Sequence, residues 1–247
     1  MKHYHINLSK EDLEGARHMF IVGDPARTEA IAEHLKDSQE LTFNREYRTF
    51  LAYIKESPVV IASMGIGGPS TAVGLEEFGK CKITTIIRVG TSGILNSQVK
   101  LGDIVSAVGA IRDEGTTKQY LPPEFPAVAH PDVILALRQA ASNLDLQDRF
   151  HEGIVHSKDA FWSEEPKMIP AKKDIIERWK IWKRGQALVT EMEVSTLLVL
   201  GTIRGWKTGA ILAAIGDIET GELILNKEAG HVASIKTAVA GMELLIN

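Results

Sequence analysis

Strand-like and helix-like runs alternate along the whole chain, and this alternation restricts it to a sheet covered by helices. Residues 18–22, 46–53, 58–63, 83–87, 103–111, 153–156, 187–189 and 208–215 are short aliphatic or β-branched runs that read as strands. Residues 25–35, 69–78, 131–141, 171–182, 192–203 and 226–245 read as helices between them. Pro25 and Pro69 stand at helix entries, where a missing N–H costs nothing, and Gly205 closes the fifth helix. Ile175, Ile176, Trp179 and Trp182 are spaced for one face of the fourth. There is no low-complexity linker and no repeat of fixed period. With 247 residues, 44% of them hydrophobic, the chain has ample material for a core. The expected architecture is α/β: a single domain, 1–247, with a central mixed β-sheet flanked by helices on both faces.

Composition removes several functional classes. A net charge of −4 and the lack of a dense Lys/Arg patch argue against a nucleic-acid partner. No run of about 18 apolar residues exists, so no membrane span is expected. Cys81 is the only cysteine, which leaves no intrachain disulfide and no cysteine-based metal cluster. Met1-Lys2-His3-Tyr4-His5 has no apolar signal core. A reducing, cytoplasmic setting is the expectation.

The chemistry gathers where strands end. Ile83 to Ile87 runs into Arg88-Val89-Gly90-Thr91-Ser92-Gly93, which reads as a strand followed by a Gly-rich turn able to cradle an oxyanion. Four other strands end in unusual polar residues: Gly23-Asp24-Pro25-Ala26-Arg27, Lys158-Asp159-Ala160-Phe161-Trp162, Thr190-Glu191-Met192-Glu193 and Gly216-Asp217. In open α/β sheets ligands bind beyond the carboxyl ends of the strands, so mostly parallel strands would bring all five groups to one edge. Arginines, an anion cradle, an aromatic and carboxylates together suit a ligand with an anionic end, a polyhydroxylated middle and a flat ring. Each signal has a plainer reading. Asp24 starts a helix, Arg27 is a solvated arginine, and Phe161 and Trp162 are core. Glu191 and Glu193 cap a helix, Asp217 forms a turn, and Gly65 to Ser70 is a tight strand-to-helix turn.

These residues resemble the nucleoside phosphorylase superfamily, most closely its uridine phosphorylases. The resemblance spans nearly the whole chain. It rests on Gly23-Asp24-Pro25-Ala26-Arg27, Asn44-Arg45-Glu46-Tyr47, Gly65-Ile66-Gly67-Gly68-Pro69-Ser70, Arg88-Val89-Gly90-Thr91-Ser92-Gly93, Glu124-Phe125-Pro126-Ala127-Val128 and Glu191-Met192-Glu193, in that order. The segment from Lys158 to Lys183 is similar to a longer insert of some bacterial members.

The resemblance implies reversible phosphorolysis of a nucleoside, with inorganic phosphate as co-substrate and no required cofactor. It assigns phosphate to Gly23, Arg27, Arg88 and Thr91, with Arg45 reaching in from a neighbouring subunit. It assigns ribose to Met192, Glu193 and the neighbour's His5. It places Ser92, Gly93, Phe161, Thr190 and Glu191 around the base. It implies a dimer as the active unit, a hexamer built from dimers, and a monovalent cation such as potassium between subunits at Glu46, Ile66 and Ser70.

Two departures bear on the base. Where uridine phosphorylases carry a glutamine and an arginine, this chain has Trp162-Ser163-Glu164-Glu165-Pro166-Lys167. Glu164 or Glu165 falls near the glutamine position and Lys167 near the arginine. An ionised glutamate only accepts hydrogen bonds, so it suits the uracil N3–H, with Lys167 serving a carbonyl. Asp217 falls where purine-type members carry a general acid for the leaving base. Uridine is the favoured substrate and a purine nucleoside the alternative. A nucleosidase using water, or a non-catalytic nucleoside-binding protein, are the remaining classes. Arg27, Arg45 and Arg88 argue against hydrolysis, and Glu193 with these arginines argues against a non-catalytic binding protein. No GxGxxG follows the first strand, against a dinucleotide-binding oxidoreductase.

Overall fold

The computed structural model describes residues 1–164, 169–218 and 228–246. In chain order the main elements are β1 (His18–Val22), α1 (Ala26–Ala32), β2 (Lys36–Asn44), β3 (Tyr47–Ile54), β4 (Ser57–Ser63), α2 (Gly68–Lys80), β5 (Thr85–Ile94), β6 (Ile104–Asp113), β7 (Ala127–Val128), α3 (Pro131–Asn143), β8 (Phe150–Lys158), α4 (Lys172–Arg184), β9 (Val189–Glu191), α5 (Val194–Arg204), β10 (Lys207–Asp217) and α6 (Glu228–Ile246). The architecture is α/β with one mixed sheet and helices on both faces, as expected.

The sheet closes partly on itself. β10 pairs with β5 on one side and β6 on the other, and β6-β8-β9 leads back to β5. Five strands thus form a ring, and β1, β4, β3 and β2 extend from it through β5. Leu75 and Phe78 of α2 and Leu197 and Leu200 of α5 pack with Met19, Ile21 and Ile86 on one face. Ile31, Val133, Leu137 and Met242 of α1, α3 and α6 pack with Phe20, Ile87 and Ile211 on the other. Successive β-strand side chains point to opposite faces, so β1 and β5 serve both layers and read as continuous apolar runs.

Several expectations change here. Residues 88–93 are not a turn but part of β5, which pairs in register from Arg88↔Ala210 to Ser92↔Ala214 of β10. Gly90 is needed for space rather than for a turn. A Cβ there would sit 2.7 Å from Leu212 Cδ2 and 3.0 Å from Arg88 Nη2. G90A is expected to cost about 1–3 kcal/mol through overpacking. A urea unfolding midpoint equal to wild type would refute that. β2 went unread because its residues are mostly polar and exposed, as suits an edge strand. The first helix stops at Ala32, short of Leu35. β8 begins at Phe150 and runs to Lys158, longer than residues 153–156. β9 takes in Thr190 and Glu191. Residue 226, the expected start of the last helix, lies outside the described residues. Among the described residues, no helix is long and apolar enough to cross a membrane.

Strand direction also differs from a simple parallel edge. β1, β4, β5 and β10 run one way, while β9 runs antiparallel to β5 and β8 runs parallel to β9. The polar groups still meet, because ring closure sets β9 against the carboxyl end of β5, with Thr190 opposite Gly93, and the end of β8 beside β9.

Candidate active site

A cavity of about 720 Å³ opens where these strands meet. β1 delivers Gly23, Asp24 and Arg27, and the loop before α2 delivers Gly65 and Ile66. β5 lines the wall with Arg88, Thr91, Ser92 and Gly93. β9 and the residues after it add Thr190, Glu191, Met192 and Glu193, and the segment after β8 adds Phe161 and Glu164.

One end of the cavity carries arginine donors that the protein itself does not satisfy. Arg27 Nη1 and Arg88 Nη1 are buried and have no hydrogen-bond partner among the described residues, while Arg88 Nε has only an ion pair with Glu191 Oε2 at 3.4 Å. Burial, followed by the neighbouring Arg88 charge, pushes the Arg27 guanidinium below its ordinary value. Buried unpaired donors are costly, and two guanidiniums without an intervening anion repel. An oxyanion between them answers both penalties. Gly23 supports this end by close approach, since a Cβ there would lie 3.2 Å from the Gly65 carbonyl oxygen and 3.5 Å from Arg27 Nη2.

The two carboxylates read from sequence as caps divide the work. Glu191 does cap α5: its carboxylate accepts from the backbone N–H of Glu193 at 2.7 Å and of Val194 at 2.9 Å, and from Ser157 Oγ at 2.5 Å. Burial raises its carboxyl above the usual carboxylate range, against the lowering pull of Arg88. Glu193 caps nothing. It accepts from Gly67 N–H at 2.6 Å and from Arg88 Nη2, and is 4% exposed. Gly67 carries φ +91°, the backbone geometry that aims this N–H at the cavity without a Cβ penalty. A negative charge is thus fixed beside the anion-accepting end. Such a group stabilises positive charge without reorganising.

The far end is built differently. Phe161, half exposed, offers a ring face for stacking. Glu164 Oε1 lies 2.6 Å from Lys158 Nζ, which donates to Thr190 Oγ1 at 3.0 Å. Lys158 is 3% exposed and also borders a second, smaller cavity of about 160 Å³ with Asp113, His156, Trp179 and Trp182. Lys158 was visible as a strand-end residue but carried no role. Its signal was an uncommon one, a lysine closing a buried strand. Asp24 Oδ1 accepts from Ala26 N–H at 2.9 Å, so it both starts a helix and lines the cavity. Ile215 and Gly216 line the cavity too, and Asp217 follows at the end of β10, half-buried.

Some named residues lie elsewhere in this chain. His5 Nδ1 is 2.7 Å from Glu77 Oε1, and Asn44 Nδ2 donates to the His5 carbonyl at 2.7 Å. Arg45 stands over the Tyr4 ring at 5.6 Å and lines a separate surface recess. His5 and Arg45 therefore share one neighbourhood, outside the cavity of their own chain. Ser70 Oγ is 2.7 Å from Glu46 Oε1, and Ile66 is largely exposed at the cavity mouth. Glu165 and Lys167 lie outside the described residues.

Arginine donors, a fixed carboxylate and an aromatic wall in one cavity define an enzyme that transfers a group to an oxyanion. The family model of the phosphorylase superfamily matches residues 17–243, and the chain belongs to that superfamily. It is 41% identical to the uridine phosphorylase of Treponema pallidum over 246 residues, 98% of this chain and 94% of that protein. It is 37% identical to the uridine phosphorylase of Thermococcus kodakarensis over 94% of this chain and 84% of that one. It is 35% identical to a guanosine phosphorylase of Halorubrum lacusprofundi over 81% of this chain and 78% of that one.

Proposed function

We propose that this protein catalyses the reversible reaction of uridine and inorganic phosphate to uracil and ribose 1-phosphate. The observation that carries this reading is the pair of buried guanidiniums, Arg27 and Arg88, with unpartnered donors beside a fixed Glu193. A phosphate oxygen attacks C1′ while the C1′–N1 bond breaks. The bonding pair leaves on uracil, which takes a proton from solvent. Arg27, Arg88 and Thr91, with backbone at Gly23, hold phosphate in bidentate fashion. Met192 and Glu193 hold the ribose, and Glu193 offsets the positive charge that grows on the sugar. Phe161 stacks on the base.

His5 and Arg45 complete the site from a second subunit in this reading, because both are gathered on a face away from their own cavity. The active unit is then a dimer, and a hexamer of dimers is the assembly we infer. Glu46, Ile66 and Ser70 would hold a monovalent cation where two copies meet. The Glu46–Ser70 contact at 2.7 Å pre-orients one carboxylate oxygen and a hydroxyl, a hard-oxygen donor set that suits such an ion. A cytoplasmic role in pyrimidine salvage fits the single, buried Cys81.

Purine phosphorolysis is the second reading. It rests on Asp217, next to the cavity-lining Gly216, and on the similarity to a guanosine phosphorylase. Incubation with uridine, thymidine, inosine, adenosine and guanosine, with and without phosphate, tests both. Uracil release that requires phosphate is expected. Release that persists without phosphate would make the protein a hydrolase, and no release from any nucleoside would make it a binding protein.

A further inference from the structure

Lys158 is a buried cation with a fixed geometry and no part in phosphate or ribose binding. Its ammonium carries three donors, and two have partners: Thr190 Oγ1 at 3.0 Å and Glu164 Oε1 at 2.6 Å. Thr190 is oriented in turn, because its Oγ1 lies 3.0 Å from His156 Nδ1. His156 Nε2 lies 3.0 Å from Asp113 Oδ2, and Asp113 also pairs with Arg178. Burial drops the His156 pKa to about 3, so the ring is neutral. A neutral ring donating from Nε2 to Asp113 must accept at Nδ1. The Thr190 hydroxyl proton therefore goes to His156, and its oxygen is left to accept from Lys158. The ammonium is held from behind by this relay and from the side by Glu164, while Lys158, Glu164 and Thr190 all border the main cavity together with Phe161.

The pair has a defined chemical complement. Glu164 engages Lys158 through Oε1, and among the described residues its other oxygen takes no hydrogen bond. One acceptor beside one donor matches an N–H next to a C=O. Cytosine and adenine present the reverse order, an acceptor nitrogen beside an amino group. We propose that Lys158 and Glu164 read the base, Glu164 accepting from N3–H of uracil and Lys158 donating to its 4-oxo group. The assignment rests on the uridine reading of the site. It makes Lys158 a specificity-determining residue, with Thr190, His156 and Asp113 as positioning residues. An ammonium at the carbonyl also stabilises the negative charge that uracil takes as it leaves. Purines with an N1–H beside a 6-oxo group present the same edge, so the pair selects oxo bases over amino bases.

The test compares kcat/KM for uridine, 3-methyluridine, which lacks the N3–H, and 4-thiouridine, which keeps the N3–H and replaces the 4-oxo oxygen with a weakly accepting sulfur. Wild type is expected to prefer uridine over 3-methyluridine by about a hundredfold, the scale of a lost hydrogen bond that leaves a buried group unpaired, and over 4-thiouridine by about tenfold, because sulfur is the weaker acceptor. E164A is expected to shrink the preference over 3-methyluridine at least about tenfold, and K158M to remove most of the preference over 4-thiouridine. K158R is expected to restore most of the second preference. The KM for phosphate stays within about twofold throughout, since that end of the cavity is built from other residues. Unchanged ratios in folded variants overturn the proposal, as does a changed phosphate KM with base preference intact. If K158M fails to fold, E164A and K158R decide it. If the wild-type protein releases no uracil from uridine with phosphate, the substrate reading fails instead. The same ratios are then taken with inosine, 1-methylinosine and 6-thioinosine, and unchanged ratios there overturn the inference as well.

Discussion

R88M is expected to lower kcat/KM for phosphorolysis by at least about a thousandfold, or 4 kcal/mol of transition-state binding. Arg88 contributes one buried donor without a protein partner, Nη1, an Nε that lies 3.4 Å from Glu191 Oε2, and a third N–H to Glu193. Methionine fills the space of the stem but supplies no donor and no charge. R88K is expected to recover little, because an ammonium lacks the planar fork. The same substitution strands Glu191 and Glu193, both buried at about 4% exposure, without their shared cation. Breaking a buried pair from one side typically costs about 3–5 kcal/mol. The pH dependence has a definite sign. The Glu191 pKa is already raised by burial, and losing Arg88 removes a lowering influence. The native state then binds more protons than the unfolded state, so stability falls as pH rises from the ordinary carboxylate value through the raised one. Urea unfolding of R88M is thus expected to show a larger loss at pH 8 than at pH 5. A variant that keeps a tenth of wild-type kcat/KM below its melting temperature would mean Arg88 does not contact phosphate.

How much of this was legible depended on what each residue's signal reports. Arginines after buried strands stood out because a charge is rarely placed there without a partner. Arg27 and Arg88 therefore surfaced at once, and both line the cavity. Around Arg88 the sequence points to a turn, because glycine signals a turn more often than a crowded strand. Only the packing of Leu212 against Gly90 shows the other cause. β2 was invisible because edge strands need no apolar alternation. Glu191 and Glu193 are two residues apart and looked alike. Both face Arg88, but Glu191 caps α5 while Glu193 accepts from Gly67, more than a hundred residues earlier. His5 and Arg45 came only from the family resemblance, since one chain holds them outside its own cavity. Lys158 shows the opposite failure, for it stands at a strand end, but its partners Glu164 and Thr190 come from two separate segments.

E193Q is expected to lower kcat by about a hundred- to a thousandfold, or 2.7–4 kcal/mol, while changing the KM for uridine only about threefold. Glu193 is held by Gly67 N–H at 2.6 Å and by Arg88, so its charge is in place before substrate arrives. In the ground state the sugar is neutral, and a glutamine carbonyl accepts from a ribose hydroxyl nearly as well as a carboxylate. Positive charge appears on the sugar ring only as the C1′–N1 bond lengthens, and only the carboxylate answers it. An interaction made mainly in the transition state lowers kcat and kcat/KM together, which separates it from simple ribose binding. If E193Q instead raises KM and leaves kcat alone, Glu193 is a binding residue and the electrostatic role is wrong. The phosphate KM supplies the second check. Glutamine keeps an acceptor for Gly67 but turns an NH2 toward Arg88, so a rise above about tenfold would trace the loss to a displaced guanidinium. A phosphate KM near wild type with a collapsed kcat leaves the missing negative charge at Glu193 as the cause.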